Sequence, residues 1–269
     1  MKYCMRFKRS QPNRRQFKIL YFTVQGYLLI GGSENNTEFV KFITSNSTPF
    51  YGQLPETRIG SFGAMLGDAP IVCGGRTGPE SIYYNACWTF ENSQWSPSHI
   101  MNEKRAFSAG VLLNSSTFWI LGGFYFFGSG QGSGHYLNST EFIHKGQTNG
   151  VSGPTLPYEL SRMCAVKLTE EQIFLIGGRD GTFDNGGEWP NEERKEVWIF
   201  NPKDGFSVKQ GISLNTKRSF HSCSTMRHDG KTVIVVAGGF NSDGTDDYHL
   251  DSVEIYDPDY NAWYPGKRH

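Results

Sequence analysis

Short apolar runs, each closed by a pair of glycines, punctuate the chain. Tyr27-Leu28-Leu29-Ile30 runs into Gly31-Gly32, Pro70 to Cys73 into Gly74-Gly75, and Phe118 to Leu121 into Gly122-Gly123. Ile173 to Ile176 runs into Gly177-Gly178 and Val233 to Ala237 into Gly238-Gly239. Apolar runs this short, bounded by turn signals, read as strands buried on both faces. The doublets lie 43, 48, 55 and 61 residues apart. A second series, Arg58, Arg105, Arg162, Arg218 and Arg268, recurs at intervals of 47, 57, 56 and 50. Two interleaved markers at one period predict repeated β-units of about 50 residues, each of four short strands.

The unit is clearest at the end of the chain. Phe220 to Met226 reads as one strand and Thr232 to Ala237 as the next, ending in Gly238-Gly239. After a loop come Ser252 to Tyr256, a turn at Asp257-Pro258-Asp259, and a strand carrying Trp263. Pro fixes φ and Asp caps the backbone, which suits a tight strand connection. The second unit matches with Cys87 to Phe90 followed by Trp95. The fourth matches with Glu196 to Phe200, a turn at Asn201-Pro202, and Phe206. The first unit has Phe39 and Phe42 without a Trp, and the third has Phe142 followed only by the stretch Gly146 to Gly153. Strand ends that crowd together near an axis favour residues without a Cβ, which permit close approach and unusual φ. On that argument Gly238→Val is expected to unfold the last unit.

An apolar strand ending in Gly-Gly, then an acidic-aromatic strand, then a Trp before the next Arg resembles the kelch repeat. The last unit supplies Gly238-Gly239, Glu254, Tyr256 and Trp263, and the second supplies Gly74-Gly75, Phe90 and Trp95. The resemblance implies an all-β fold, a kelch-type β-propeller of four-stranded antiparallel blades over residues 17–269, preceded by a basic tail over residues 1–16. Five repeats fit a five-bladed ring or a six-bladed ring that lacks a blade. Gly31, Gly32, Gly74, Gly75, Trp95, Gly122, Gly123, Gly177, Gly178, Gly238, Gly239, Tyr256 and Trp263 are then structural positions of the repeat. His221, in Arg218-Ser-Phe-His, takes a structural role in the same reading. Kelch propellers commonly bind proteins, and some are substrate receptors of ubiquitin ligases. No BTB domain of that kind fits into the first 16 residues. Other members are copper oxidases or sugar epimerases. The Cys-linked Tyr and paired His of the oxidases do not assemble here from motif matches, so no catalytic residue and no cofactor is carried over.

Composition narrows the picture. Lys and Arg total 26 and Asp and Glu total 26, so net charge offers no pull on nucleic acid. The 32 glycines and 14% aromatic content disfavour a helical bundle. No apolar run reaches the roughly 18 residues of a membrane helix. Lys2, Arg6, Lys8, Arg9, Arg14, Arg15 and Lys18 make the N-terminus basic, with no apolar segment after them to form a signal peptide. The default location is therefore the cytoplasm, with the basic stretch a solvated tail, or a nuclear-localisation or phosphate-binding one. In that compartment the five cysteines are expected as buried free thiols, although a cross-strand Cys73–Cys87 bond is sterically open. Asn35, Asn46, Asn114 and Asn138 each begin an N-x-S/T sequon, a number little above chance that leaves secretion open.

Propeller function sits on loops. The connections after Gly123, Gly178 and Gly239 leave the same strand edge and should share one face. They carry the partner-binding candidates Tyr125, Phe126, Tyr136, Arg179, Asp180, Phe183, Trp189, Asp246 and Tyr248. Aromatic side chains anchor protein partners. The acidic residues Asp180, Asp184, Glu188, Glu192 and Glu193 suggest steering of a basic peptide. No Walker loop, G-x-S-x-G elbow or H-E-x-x-H helix is present, and Asn241 to Asp247 lacks the spacing of a calcium loop. The leading expectation is a non-catalytic module that binds a protein partner, without metal. The alternatives are an extracellular recognition or adhesion propeller, and a sugar-active or redox enzyme.

Overall fold

The computed structural model describes residues 16–23, 26–32, 39–43, 50–56, 58–77, 82–126, 134–181, 192–208, 212–242 and 247–266. Those residues are all-β, without a helix, and form five four-stranded antiparallel sheets in the manner of propeller blades. The first comprises β1 (Gln16–Thr23), β2 (Gly26–Gly32), β3 (Phe39–Ile43) and β4 (Phe50–Gln53). The second comprises β5 (Phe62–Leu66), β6 (Ala69–Cys73), β7 (Ala86–Glu91) and β8 (Gln94–Ile100). The third begins with β9 (Ala109–Asn114) and β10 (Thr117–Leu121). A small hairpin, β11 (Phe124–Phe126) and β12 (Gly134–Tyr136), interrupts it before β13 (Thr140–His144) and β14 (Val151–Ser152) complete the sheet.

The fourth sheet comprises β15 (Cys164–Thr169), β16 (Gln172–Arg179), β17 (Glu193–Asn201) and β18 (Gly205–Val208). The fifth has β19 (Ser222–His228), β20 (Lys231–Ala237), a hairpin of β21 (Phe240–Ser242) and β22 (Asp247–His249), then β23 (Val253–Asp257) and β24 (Ala262–Pro265). Both hairpins leave directly after a glycine pair. The turn chemistry read from the sequence holds: the Asp257 carboxylate accepts from Asp259 N, and the Asn201 side chain accepts from Lys203 N.

The core lies between sheets. Trp119, Leu121 and Val111 of the third sheet pack with Leu175, Ile173 and Phe200 of the fourth. Phe174, Ile176 and Ile199 of the fourth pack with Ile234, Val236, Tyr256 and Trp263 of the fifth. Trp263 also donates its indole N–H to Ile212 O at 2.9 Å. Trp119 compensates for the aromatic missing from the third unit: it is fully buried against Phe142 and Phe200, with ring centroids at 5.6 and 4.6 Å. A Cβ on Gly153 would stand 3.1 Å from its Nε1, so the glycine beside the two-residue strand β14 makes room for the indole.

Successive sheets are joined at the doublets. The second glycine donates to the first residue of the next unit: Gly75 N to Arg105 O, Gly123 N to Leu160 O, and Gly178 N to Arg218 O, at 2.8 to 2.9 Å. The first glycine is left-handed and pressed against the same carbonyl. A Cβ on Gly122, at φ +56°, would sit 2.3 Å from Leu160 O, and one on Gly74 would sit 2.4 Å from Arg105 O. At Gly238 φ is +68°, but the nearest described atom is Leu250 O at 3.6 Å. There the crowding argued from the sequence reduces to backbone strain, and Gly122 is the better site for the test.

This register corrects the arginine series. Leu160, not Arg162, occupies the position of Arg105 and Arg218. In the third and fifth sheets the buried arginine binds the first glycine's carbonyl and a buried glutamate: Arg105 with Gly122 O and Glu141, Arg218 with Gly238 O and Glu254. Arg58 likewise donates to Gly74 O. Glu141 faces Ile120 and Glu254 faces Val236, and the matching partner of Leu175 is Trp198. The fourth sheet thus replaces the ion pair with Leu160 and Trp198, an apolar solution to the same position. Two residues of register separate Arg162 from that place, too small a shift for spacing to reveal.

Cysteine pairing is a second correction. Cys73 and Cys87 face each other across β6 and β7 and are disulfide-bonded, and Cys164 on β15 is bonded to Cys223 on β19. The expectation of free thiols fails because neighbouring innermost strands bring Cys164 and Cys223 together from 59 residues apart. Closing a loop of that length stabilises by about 4 kcal/mol in the chain-entropy account. Cys164→Ser with Cys223→Ser is therefore expected to lower unfolding free energy by about that amount in urea. An unchanged midpoint would show that the bond does not constrain the unfolded chain.

Candidate functional site

The second to fifth units each enter the innermost strand through a residue in the left-handed region. Gly60, Phe107, Arg162 and Phe220 have φ of 70, 55, 57 and 55°. Backbone bonds pass from one to the next: Phe107 N to Gly60 O, Arg162 N to Phe107 O, and Phe220 N to Arg162 O, at 2.7, 2.8 and 2.9 Å. The residues that follow the doublets form a second tier beside them. Bridges pair Ile59 with Arg76, Ala106 with Phe124, Ser161 with Arg179, and Ser219 with Phe240. In the third, fourth and fifth units the repeat therefore delivers two side chains, Phe107 with Phe124, Arg162 with Arg179 and Phe220 with Phe240, to one mouth where the innermost strands begin.

Arg162 sits among aromatic rings. Its guanidinium carbon lies 4.8 Å from the Phe220 centroid, 5.3 Å from Phe124 and 5.8 Å from Phe107. Phe107 stacks on Phe124 and meets Phe220 edge-on. Cation–π attraction of this kind is worth about 0.5–2 kcal/mol per contact, more where water is excluded. Burial pulls the guanidinium pKa below its ordinary value, and Tyr136 opposes that shift. No described carboxylate forms an ion pair with Arg162, and its Nε has no hydrogen-bond partner. The nearby Glu193 is held instead by Arg179 at 3.3 Å and by the Ser219 hydroxyl. Tyr83, whose pKa burial raises to about 12, packs on Phe124 and Phe126.

The candidates from the β11–β12 hairpin fall beside this mouth. Phe124 and Tyr136 are buried and stacked, so Tyr136 serves packing, while Phe126 is exposed and Tyr125 stacks on His135. Tyr248 is exposed on β22, opposite Asn241. Arg179 belongs to the second tier. Asp180 pairs with Arg194, and Glu192 with Lys217. The described carboxylates of that loop are thus already matched to cations. Phe183, Trp189 and Asp246, with Asp184 and Glu188, lie outside the described residues. His221 is buried, with a ring nitrogen 3.1 Å from Ile176 O. Among the described residues no three His, Cys, Asp or Glu side chains gather as a metal site, and no helix is long and apolar enough to cross a membrane.

Sequence reasoning missed Phe107, Phe220 and Arg162 as members of one site. The signal was present in the comparison of Arg105-Ala-Phe107 and Arg218-Ser-Phe220 with Leu160-Ser-Arg162. Reading it required the correct alignment of the fourth unit.

Comparison with protein families bears on the last sheet. Residues 230–268 match the Kelch motif. The match covers β20 to β24 and includes Gly238, Gly239, Glu254, Tyr256 and Trp263, the residues on which the resemblance was built. The chain therefore carries a kelch repeat within a set of blade-like sheets. Comparison with the curated proteins found no match.

Proposed function

We propose that the protein is a non-catalytic interaction module that binds a protein partner at the mouth around Arg162. The observation that carries this reading is an arginine held in an aromatic surround without an ion-paired carboxylate among the described residues. An acidic side chain of a partner would complete it with a charge-assisted hydrogen bond, which is stronger than a neutral one. Phe126 and Tyr248, exposed on the neighbouring hairpins, add aromatic surface of the kind that anchors partners. The charge preference thus turns from the basic peptide suggested by the loop composition to an acidic one. Selection from a displayed peptide library on the full chain tests this. Enrichment of an Asp or Glu flanked by apolar residues is expected, and ligands without an acidic position would count against it.

A second reading has its own observation. All four cysteines of the described residues are paired in two disulfides, a pattern of secreted and extracellular proteins. It favours an extracellular recognition propeller that uses the same mouth. The ubiquitin-ligase setting raised by the resemblance draws on no residue of this chain.

A further inference from the structure

We infer that Asn114 is an N-glycosylation site, on the side of its sheet remote from the mouth. The inference rests on the extracellular reading. Asn114, Ser115 and Ser116 form the turn between β9 and β10, and all three are exposed. The Asn114 side-chain oxygen accepts from Ser116 N and from the Ser116 hydroxyl, both at 2.9 Å. This Asx-turn draws the third sequon residue onto the amide and leaves Nδ2 free of hydrogen bonds within the described chain.

The modification joins Asn114 Nδ2 to the anomeric carbon of a lipid-diphosphate-linked oligosaccharide. The bond from that carbon to the diphosphate oxygen breaks, the lipid diphosphate leaves with the electron pair, and the amide nitrogen gives up one proton. The compartment that performs this transfer also forms disulfides, so the two cystines and the sequon point to one environment.

Topology separates the glycan from the proposed binding surface. Asn114 ends β9 opposite Thr117, the first residue of the five-residue strand β10, whereas Gly122 and the mouth residue Phe124 follow the other end of β10, about 16 Å away along the strand. A bulky, hydrated group is accommodated there without covering Arg162. The Asn138 sequon is placed differently. Its carbonyl accepts from Leu156 N, Ser139 joins the Arg105 network, and Thr140 is buried with its hydroxyl donating to Pro154 O at 2.7 Å. That sequon sits at the mouth end of β13, inside this hydrogen bonding, so of the two sequons among the described residues the site is assigned to Asn114; Asn35 and Asn46 lie outside them.

The experiment uses the full chain produced through the secretory pathway of eukaryotic cells. Peptide mapping before and after peptide-N-glycosidase should find a hexosamine-containing glycan at position 114, converted to aspartate on release. Asn114→Gln and Ser116→Ala should each remove one glycan step in gel mobility without changing the melting midpoint. Alkylation without reductant is read on the same sample. An unmodified position 114 in a protein whose described cysteines resist alkylation would overturn the glycan and leave the extracellular reading intact. An unmodified position 114 together with freely alkylated cysteines would overturn both.

Discussion

Gly122→Val is expected to prevent the protein from folding to its native state. The substituted Cβ would stand 2.3 Å from Leu160 O and 2.8 Å from the Met163 methyl, at φ +56°. A β-branched residue in the left-handed region is itself strained by about 1–3 kcal/mol. The clash adds to it, because Leu160 O is fixed by the bond from Gly123 N that joins the third and fourth sheets. The combined loss should exceed about 4 kcal/mol, a large share of the stability of any domain. Gly146→Ala is the matched control. Its φ is +83° and no described atom lies within 4 Å, so only backbone strain, about 1 kcal/mol, is expected. Urea denaturation of both variants measures the difference. Equal midpoints would mean that the doublets are not the joints between sheets.

Arg105→Leu should cost about 3–5 kcal/mol. Arg105 and Glu141 are fully or almost fully buried and meet at 2.7 Å. The arginine also donates to the carbonyls of Gly122 and Ser139, while Glu141 accepts from Asn102 N and Glu103 N. Removing the cation leaves a buried carboxylate holding the preceding loop with no counter-charge. Adding Glu141→Gln keeps an acceptor for that loop and removes the charge, so the double variant should recover about 1–2 kcal/mol. Strict additivity in the double-mutant cycle would contradict the ion-pair account. The apolar solution in the fourth sheet, Leu160 with Trp198, already shows that the fold tolerates loss of both charges together when volume is supplied.

The repeat was legible because its constraint is local. A strand that must end against the backbone of the next unit needs glycine there, and the requirement recurs at Gly74, Gly122 and Gly177. The same holds for the turns at Asp257 and Asn201, where the capping side chain is two residues from the amide it binds. Non-local pairing was less visible. Nothing in their immediate surroundings marks Cys164 and Cys223 as partners, and only the adjacency of innermost strands joins them. Arg162 was misread because an arginine near the expected spacing looks like the structural one. Its different role depends on which carbonyl accepts from Gly123, and that carbonyl belongs to Leu160. The aromatic surround draws Phe107, Phe124 and Phe220 from different units, so no single window of sequence contains the site.

The most direct test of the account is the affinity of a library-selected acidic peptide for the wild-type chain and for Arg162→Gln. The substitution keeps much of the side-chain volume but removes the cation and its three ring contacts, so stability should fall by about 2–4 kcal/mol and binding is compared where both proteins are folded. Binding should weaken at least about tenfold, a loss of about 1.4 kcal/mol, and changing the peptide's acidic residue to its amide should add little further loss in the variant. Equal affinity of the two proteins for the peptide would place the binding surface away from Arg162 and contradict the proposal.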